Sequence, residues 1–428
     1  MHPQHETEAA YQRAAFVARE SYGRLVAYLA TRWGDLAAAE DALSAAFVAA
    51  LERWPRTGVP ERPESWLLTV ARRKLVDSAR HAALRDRPEI VAALGDAALD
   101  QSAPPPALPD ERIRLMLVCA HPAIDAKIRP ALILQAVLGL EAKGMASAFL
   151  VSAETMTKRL VRAKAKIRAA GLRFEEPTAS DMPGRLHALL EAIYAAYFLG
   201  REGAVSDGDV HDQLRDEALY LARVVATALP TAAEALGFLA LLTFCEARRL
   251  AQINTAGAFV PLLEQDAGTW DVALMREGYL LLERAVAQGE IGPFQLEAAI
   301  QAAHCYRARS GTVPWGEITL LYQALVTRYP TIGSRVGCAV ATAHAEGDPS
   351  NGLAMLNAID PEAVRTYQPF WVALWHLHTM RGDNTQARSC LLRALSLTTH
   401  PRLQAYLRTR LRLYDHSAAG EEPGNGAL

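Results

Sequence analysis

A chain of 428 residues exceeds one ordinary domain, and at about 100–200 residues per domain it should divide into two to four. Half of it (51%) is hydrophobic, Ala and Leu dominate and β-branched runs are short, so the composition points to an all-α protein with packed cores. The formal net charge of −2 hides an asymmetry: residues 1–175 hold 25 Lys and Arg against 20 Asp and Glu, leaving 20 and 27 for the remainder, so a polyanionic partner is indicated for the first part alone.

The five cysteines (Cys119, Cys245, Cys305, Cys338, Cys390) are odd in number and far apart, without CxxC or HExxH. This argues against a disulfide framework or a zinc site and fits buried thiols in a reducing compartment. No Gly-rich phosphate loop or nucleophile elbow is present, so no active site, metal or cofactor is expected. MHPQHETEAA lacks a basic n-region and an apolar h-region, and no apolar stretch reaches the ~20 residues that span a bilayer. A cytoplasmic, non-enzymatic protein with no membrane partner is the expectation.

Residues 8–83 read as consecutive helices. In GDLAAAEDALSAAFVAALERWP, Asp35 is placed to cap the helix over 37–54, because its side-chain oxygen can accept from the first unpaired amides. Leu43, Phe47, Ala50 and Leu51 share one face, with Glu40, Asp41 and Ser44 toward another. This is either a docking face for a protein or a plain amphipathic helix. Pro63 and Glu64 mark the next helix start, and Trp66, Leu67, Val70 and Leu75 should face inward. Arg72, Arg73, Lys74 and Arg80 make a cationic run beside an aromatic-containing loop, a combination suited to a separated nucleic-acid strand. Residues 84–109 include APPPALP, which cannot continue a helix and reads as a linker.

Residues 110–175 carry the most specific pattern. KIRPALILQAVLGL reads as a helix ending near Gly139, EAKGMASAFL as a second, and Leu150-Val151-Ser152 as a turn in which Ser152 caps AETMTKRLVRAKAKIRAAG. Met156, Leu160, Ala163 and Ile167 form one buried stripe, with Lys158, Arg159, Arg162, Lys166 and Arg168 off it. Helix, turn and basic helix make a helix-turn-helix: Glu154, Thr155 and Lys158 would reach base edges in the major groove, while Arg159, Arg162 and Lys166 would hold phosphates. Residues 181–414 are amphipathic helical segments in which Gly311, Gly347 and Gly382 recur at a spacing close to the tetratricopeptide period of about 34. Residues 415–428 read as a disordered tail.

GDLAAAEDALSAAF with Trp54-Pro55, ESWLLTVARRKLVDSAR and SAETMTKRLVRAKAKIR, in this order, resemble the two domains of extracytoplasmic-function sigma factors. ERWPRTGVPERPESWLLTVAR, LVCAHPAI, LLEQDAGTWD, GPFQLEAAIQAAH and VPWGEITLLYQAL resemble a subgroup with a long tetratricopeptide-like extension. The resemblance implies two small sigma-type helical domains, the second a helix-turn-helix, followed by a helical-repeat regulatory extension. It also implies docking on the clamp of the largest subunits of core RNA polymerase through Asp35, Glu40, Asp41 and Phe47, and promoter binding at the −10 element through the first domain and at the −35 element through the second. The extension would answer to an unidentified protein partner or ligand. A divergent paralogue that acts mainly as a helical-repeat interaction scaffold is the alternative.

Overall fold

The computed structural model describes residues 3–86, 111–146, 149, 151–169, 178, 180–201 and 208–419. Among these residues the chain is all-α, its one extended contact being an isolated bridge between Ile253 and Phe259. No described helix is long and apolar enough to cross a membrane. The chain divides into two compact units, one of residues 1–201 with 212–218 and the other of residues 202–211 with 219–428.

The first unit opens with α1 (Pro3–Trp33), α2 (Leu36–Thr57) and α3 (Pro63–Asp86). Asp35 caps α2 as its spacing foretold, its Oδ1 accepting from the Ala38 amide at 3.0 Å. Leu25, Leu29, Leu36, Leu43, Trp54 and Leu67 are buried between the three helices, and Trp54 meets Trp66 edge to face at 5.6 Å. Arg24 of α1 pairs with Glu64 at the start of α3 at 2.9 Å. α3 runs to Asp86, three residues into the expected linker, whose remaining residues lie outside the described ones.

Next come α4 (Arg112–Cys119), α5 (Arg129–Leu138), α6 (Ala142–Met145), α7 (Ala153–Ala169) and α8 (Met182–Arg201). α5 is buried on nearly all sides, which explains its almost uniformly apolar sequence. It meets α1 at Gly23, where a Cβ would lie 1.8 Å from the Val137 carbonyl oxygen. Only a residue without a side chain lets the two backbones approach so closely. α8 packs on α5 beyond residue 175, and Arg185 on α8 donates to the Leu117 carbonyl.

α9 (Gly208–Ala228) supplies residues to both units. The second unit continues with α10 (Ala233–Ala247), α11 (Val272–Val286), α12 (Pro293–Cys305), the short α13 (Arg307–Ser310), α14 (Trp315–Arg328), α15 (Ile332–Glu346), α16 (Pro349–Asn357), the short α17 (Pro361–Val364), α18 (Gln368–Arg381), α19 (Asn384–Leu397) and α20 (Pro401–Ala419). α20 extends to Ala419, so the stretch expected to be disordered from 415 begins as helix. α10 packs against α11 and α12, with Phe238 edge to face on Phe294 and Phe244 on Tyr279. From α14 onward neighbouring helices pair, and their faces merge through Leu353, Leu356, Phe370, Leu374 and Leu377. Gly311, Gly347 and Gly382, the three spaced glycines, end helices with φ of 74°, 69° and 77°, the left-handed conformation that glycine adopts without strain.

Three imidazoles rise through this unit on α12, α15 and α18. Trp315 stacks on His344 at 4.2 Å and 8° and takes His304 edge-on at 5.6 Å, while the His344 and His376 Nε2 atoms share a hydrogen bond of 2.8 Å. Burial, helped by Arg248, Arg307 and His344, pushes His304 down to about 4, and burial with His344 does the same to His376. An unfolded histidine titrates near 6.5. Between the two values the unfolded chain holds more protons, so stability from these rings is complete above about pH 6.5 and drains toward pH 4. Glu297 acts oppositely: burial beside Glu234 raises it to about 7, so its contribution is complete at low pH and is lost as pH rises from about 4.5 to 7. His376→Gln should therefore flatten the pH dependence by up to ~1.4 kcal/mol per pH unit below pH 6.5. Urea denaturation of the full chain between pH 7.5 and 5 checks this, and parallel curves for the two proteins would refute it.

Candidate nucleic-acid interface

The helix-turn-helix begins where α5 stops at Gly139, left-handed with φ 67°. α6 follows, then Ser152, whose Oγ accepts from the Thr155 amide at 3.2 Å and so satisfies one of the unpaired donors that open α7. Met156, Leu160, Ala163 and Ile167 are buried on one stripe, as their spacing requires. Leu150, part of the expected turn, lies outside the described residues.

The cations of α7 fall into two groups. Arg159, Arg162 and Lys166 are exposed and make no ion pair among the described residues. Lys158 is exposed but pairs with Glu154 one turn earlier at 2.5 Å. Glu154 and Lys158, expected at base edges, therefore satisfy each other here, and Thr155 Oγ1 accepts from the Ser152 hydroxyl at 2.8 Å.

Lys164 and Arg168 turn the other way, toward α2. Lys164 Nζ lies 2.5 Å from Glu40, with side-chain exposures of only 18% and 12%. Arg168 Nε donates to Asp35 Oδ2 at 2.9 Å. Asp35 and Glu40, expected on a polymerase-facing surface, are thus occupied by the basic helix of the same unit. Burial raises the Glu40 carboxyl above its ordinary range, and Lys164 offsets part of that rise. Burial also raises the Cys119 thiol, with Glu40 adding to the effect. Sequence reasoning misses the role of Lys164. A signal is present: Glu40 is four residues after Leu36 and three before Leu43, within the buried stripe of α2, and an acid in that position needs a cation.

The remaining site residues sit as follows. Asp41 is exposed, and Phe47 is half-buried. Of the face expected from Leu43, Phe47, Ala50 and Leu51, α2 buries Leu43 and Ala50, while Leu51 is 40% exposed beside Val48 at 56%. On α3, Arg73, Lys74 and Arg80 are exposed, with no ion pair among the described residues. Arg72 departs from that run. Its guanidinium donates to the Tyr28 hydroxyl and lies 5.3 Å from that ring, so it braces α3 against α1. No group of three or more His, Cys, Asp or Glu among the described residues could hold a metal ion.

The first unit is thus all-α and presents two cationic helices, α3 and, after the short α6, α7. Residues 18–85 match the family model for sigma-70 region 2, and residues 185–286 match a family of unknown function (DUF6596). An uncharacterized protein of Rhizobium meliloti (strain 1021) is 34% identical over 405 residues, covering 94% of each chain. The chain belongs to one family with that protein, and it is sigma-factor-like, built on a sigma-70 region 2. No solved structure matches it.

Proposed function

We propose that the chain is an extracytoplasmic-function type sigma factor, which joins core RNA polymerase and directs initiation at its promoters. The observation that carries this reading is the combination of a sigma-70 region 2 with a second cationic helix, α7, whose exposed Arg159, Arg162 and Lys166 make no ion pair among the described residues and could hold phosphate. Arg73, Lys74 and Arg80 on α3 would hold the strand near the −10 element, with Arg72 fixing the helix that carries them. Glu154, Thr155 and Lys158 would read the −35 element once the Glu154–Lys158 pair opens onto bases. Asp41, Phe47 and the outward Val48 and Leu51 would meet the polymerase clamp directly. Asp35 and Glu40 would do so only after release from Arg168 and Lys164. The helical second unit would act as a tetratricopeptide-like regulatory extension, its spaced glycine caps supporting that reading. None of these roles calls for an active site, since the polymerase performs the chemistry.

Transcription in vitro with reconstituted core polymerase tests the proposal. The full chain should co-purify with core enzyme and start transcripts from a defined promoter. Protein that neither joins the polymerase nor supports initiation at any promoter refutes it.

A further inference from the structure

The second unit holds a cavity of about 310 Å³, the size that takes a small organic molecule. Three sequence segments far apart in the chain converge on it: LLEQDAGTWD supplies Leu262 and Leu263, GPFQLEAAIQAAH supplies His304, and VPWGEITLLYQAL supplies Trp315 and Tyr322. Val340 and His376 complete it from α15 and α18. No Asp, Glu, Lys or Arg is among the described residues that line it. The charged side chains that hold the Leu262–Leu263 wall are committed to other partners. Arg307 donates to the Leu263 carbonyl at 2.9 Å and to the Gln265 carbonyl at 2.6 Å, while Glu264 accepts from the Tyr406 hydroxyl at 3.2 Å and pairs with Arg410. Both lining imidazoles are neutral near pH 7, burial being the first cause that pushes each down to about 4. The Trp315 ring is held flat by stacking on His344, and a fixed aromatic wall binds a planar body at small entropic cost.

Tyr322 gives this uncharged lining a polar point. Its phenol end lies against Gly337, a second lining residue, in the middle of α15. A Cβ at position 337 would fall 2.5 Å from Tyr322 Cζ and 2.7 Å from the hydroxyl oxygen, so the missing side chain is what leaves the phenol its place. Glycine inside a helix weakens it relative to alanine, so α15 gives up helix stability for this contact. The Tyr322 hydroxyl makes no hydrogen bond among the described residues, although the side chain is half-buried. Burial pushes it up to about 12, with Glu297, Cys338 and Tyr367 adding to the effect, so it stays protonated and able to donate. An apolar cavity with one unmet hydroxyl at its wall has the composition of a small-molecule site, in which apolar surface supplies affinity and a polar group fixes orientation.

We propose that this cavity is a binding site for a small uncharged aromatic molecule bearing a hydroxyl or carbonyl oxygen, its ring system against Trp315, Val340 and the Leu262–Leu263 wall and its oxygen at the Tyr322 hydroxyl. With no charged side chain on the described lining, a carboxylate or an ammonium would lose hydration without gaining a counter-ion, so the site selects against both. The site is confined to the second unit and does not depend on the promoter-binding reading.

The test uses the full chain, calorimetric titration and ligand-observed NMR. The probe is 2-naphthol, with 2-naphthoate and 2-naphthylmethylammonium as charged counterparts of similar shape. 2-Naphthol should bind at about millimolar concentration or tighter, and each charged probe should bind at least roughly tenfold more weakly. Tyr322→Phe, which keeps the ring, should weaken 2-naphthol about fivefold, the effect of one lost hydrogen bond. Val340→Phe, which fills the cavity, should abolish binding while the chain stays folded by circular dichroism, and Tyr322→Phe keeps the test decisive if Val340→Phe fails to fold. Failure of 2-naphthol to bind, a charged probe that matches it, or undiminished binding to either folded variant would each overturn the proposal.

Discussion

Lys164→Ala should destabilise the first unit by about 3 kcal/mol or more, a larger loss than a surface ion pair could explain. The pair it breaks is mostly buried, and Glu40 Oε1 already lacks a hydrogen-bond partner. Removing the ammonium leaves a desolvated carboxylate that must stay charged or take up a proton. The sign of the pH dependence follows. Glu40 already titrates above its ordinary range in the folded chain, and losing Lys164 raises it further. The loss is therefore greatest at pH 8 and shrinks toward about pH 4.5, where the carboxyl is largely protonated in the folded state. Glu40→Gln in the same chain should restore much of the stability, so the double-mutant cycle should give a coupling above about 1 kcal/mol. Chemical denaturation at the two pH values measures all three quantities, and a loss below about 0.5 kcal/mol would mean that the pair is solvated and unimportant.

Replacing Arg159 and Arg162 together with Ala should weaken promoter binding roughly tenfold or more and reduce the slope of log K against log salt by about 1.8, close to 0.9 for each phosphate left without its cation. The prediction rests on exposure: both guanidiniums project from the outer face of α7 with no acid among the described residues to neutralise them. Glu154→Ala provides the contrast. It removes the partner of Lys158 on the surface that would face bases, so it should alter preference among promoter sequences and leave the salt slope within error. Binding measured from low to physiological salt on cognate and scrambled promoters separates the two effects. An unchanged slope for the double variant removes α7 from the interface.

Much of this architecture is legible in the sequence because local rules set it. Asp35 and Ser152 cap helices, Gly139, Gly311, Gly347 and Gly382 end them, and the stripe from Met156 to Ile167 follows from the helical period. What is not legible depends on pairings distant in sequence. Glu40 and Lys164 stand 124 residues apart, so no local pattern joins them, and Arg72 looks like its exposed neighbours until Tyr28 is placed beside it. Spacing places Leu51 with Leu43 and Ala50 but does not show which members of that face the neighbouring helices cover. The cavity is invisible for the same reason, its walls being drawn from α12, α14, α15, α18 and the loop before α11. Apolar periodicity announces burial but not the void left between buried faces.

The crossing at Gly23 has a consequence for how the first unit could come apart. With the Val137 carbonyl against its α-carbon, α1 and α5 have no room to slide past each other by small increments. A single methyl at this position is a wedge against the last turn of α5, which must shift to admit it. Gly23→Ala is therefore a chemical means of holding the unit ajar, with every charged residue of α2 and α7 left in place.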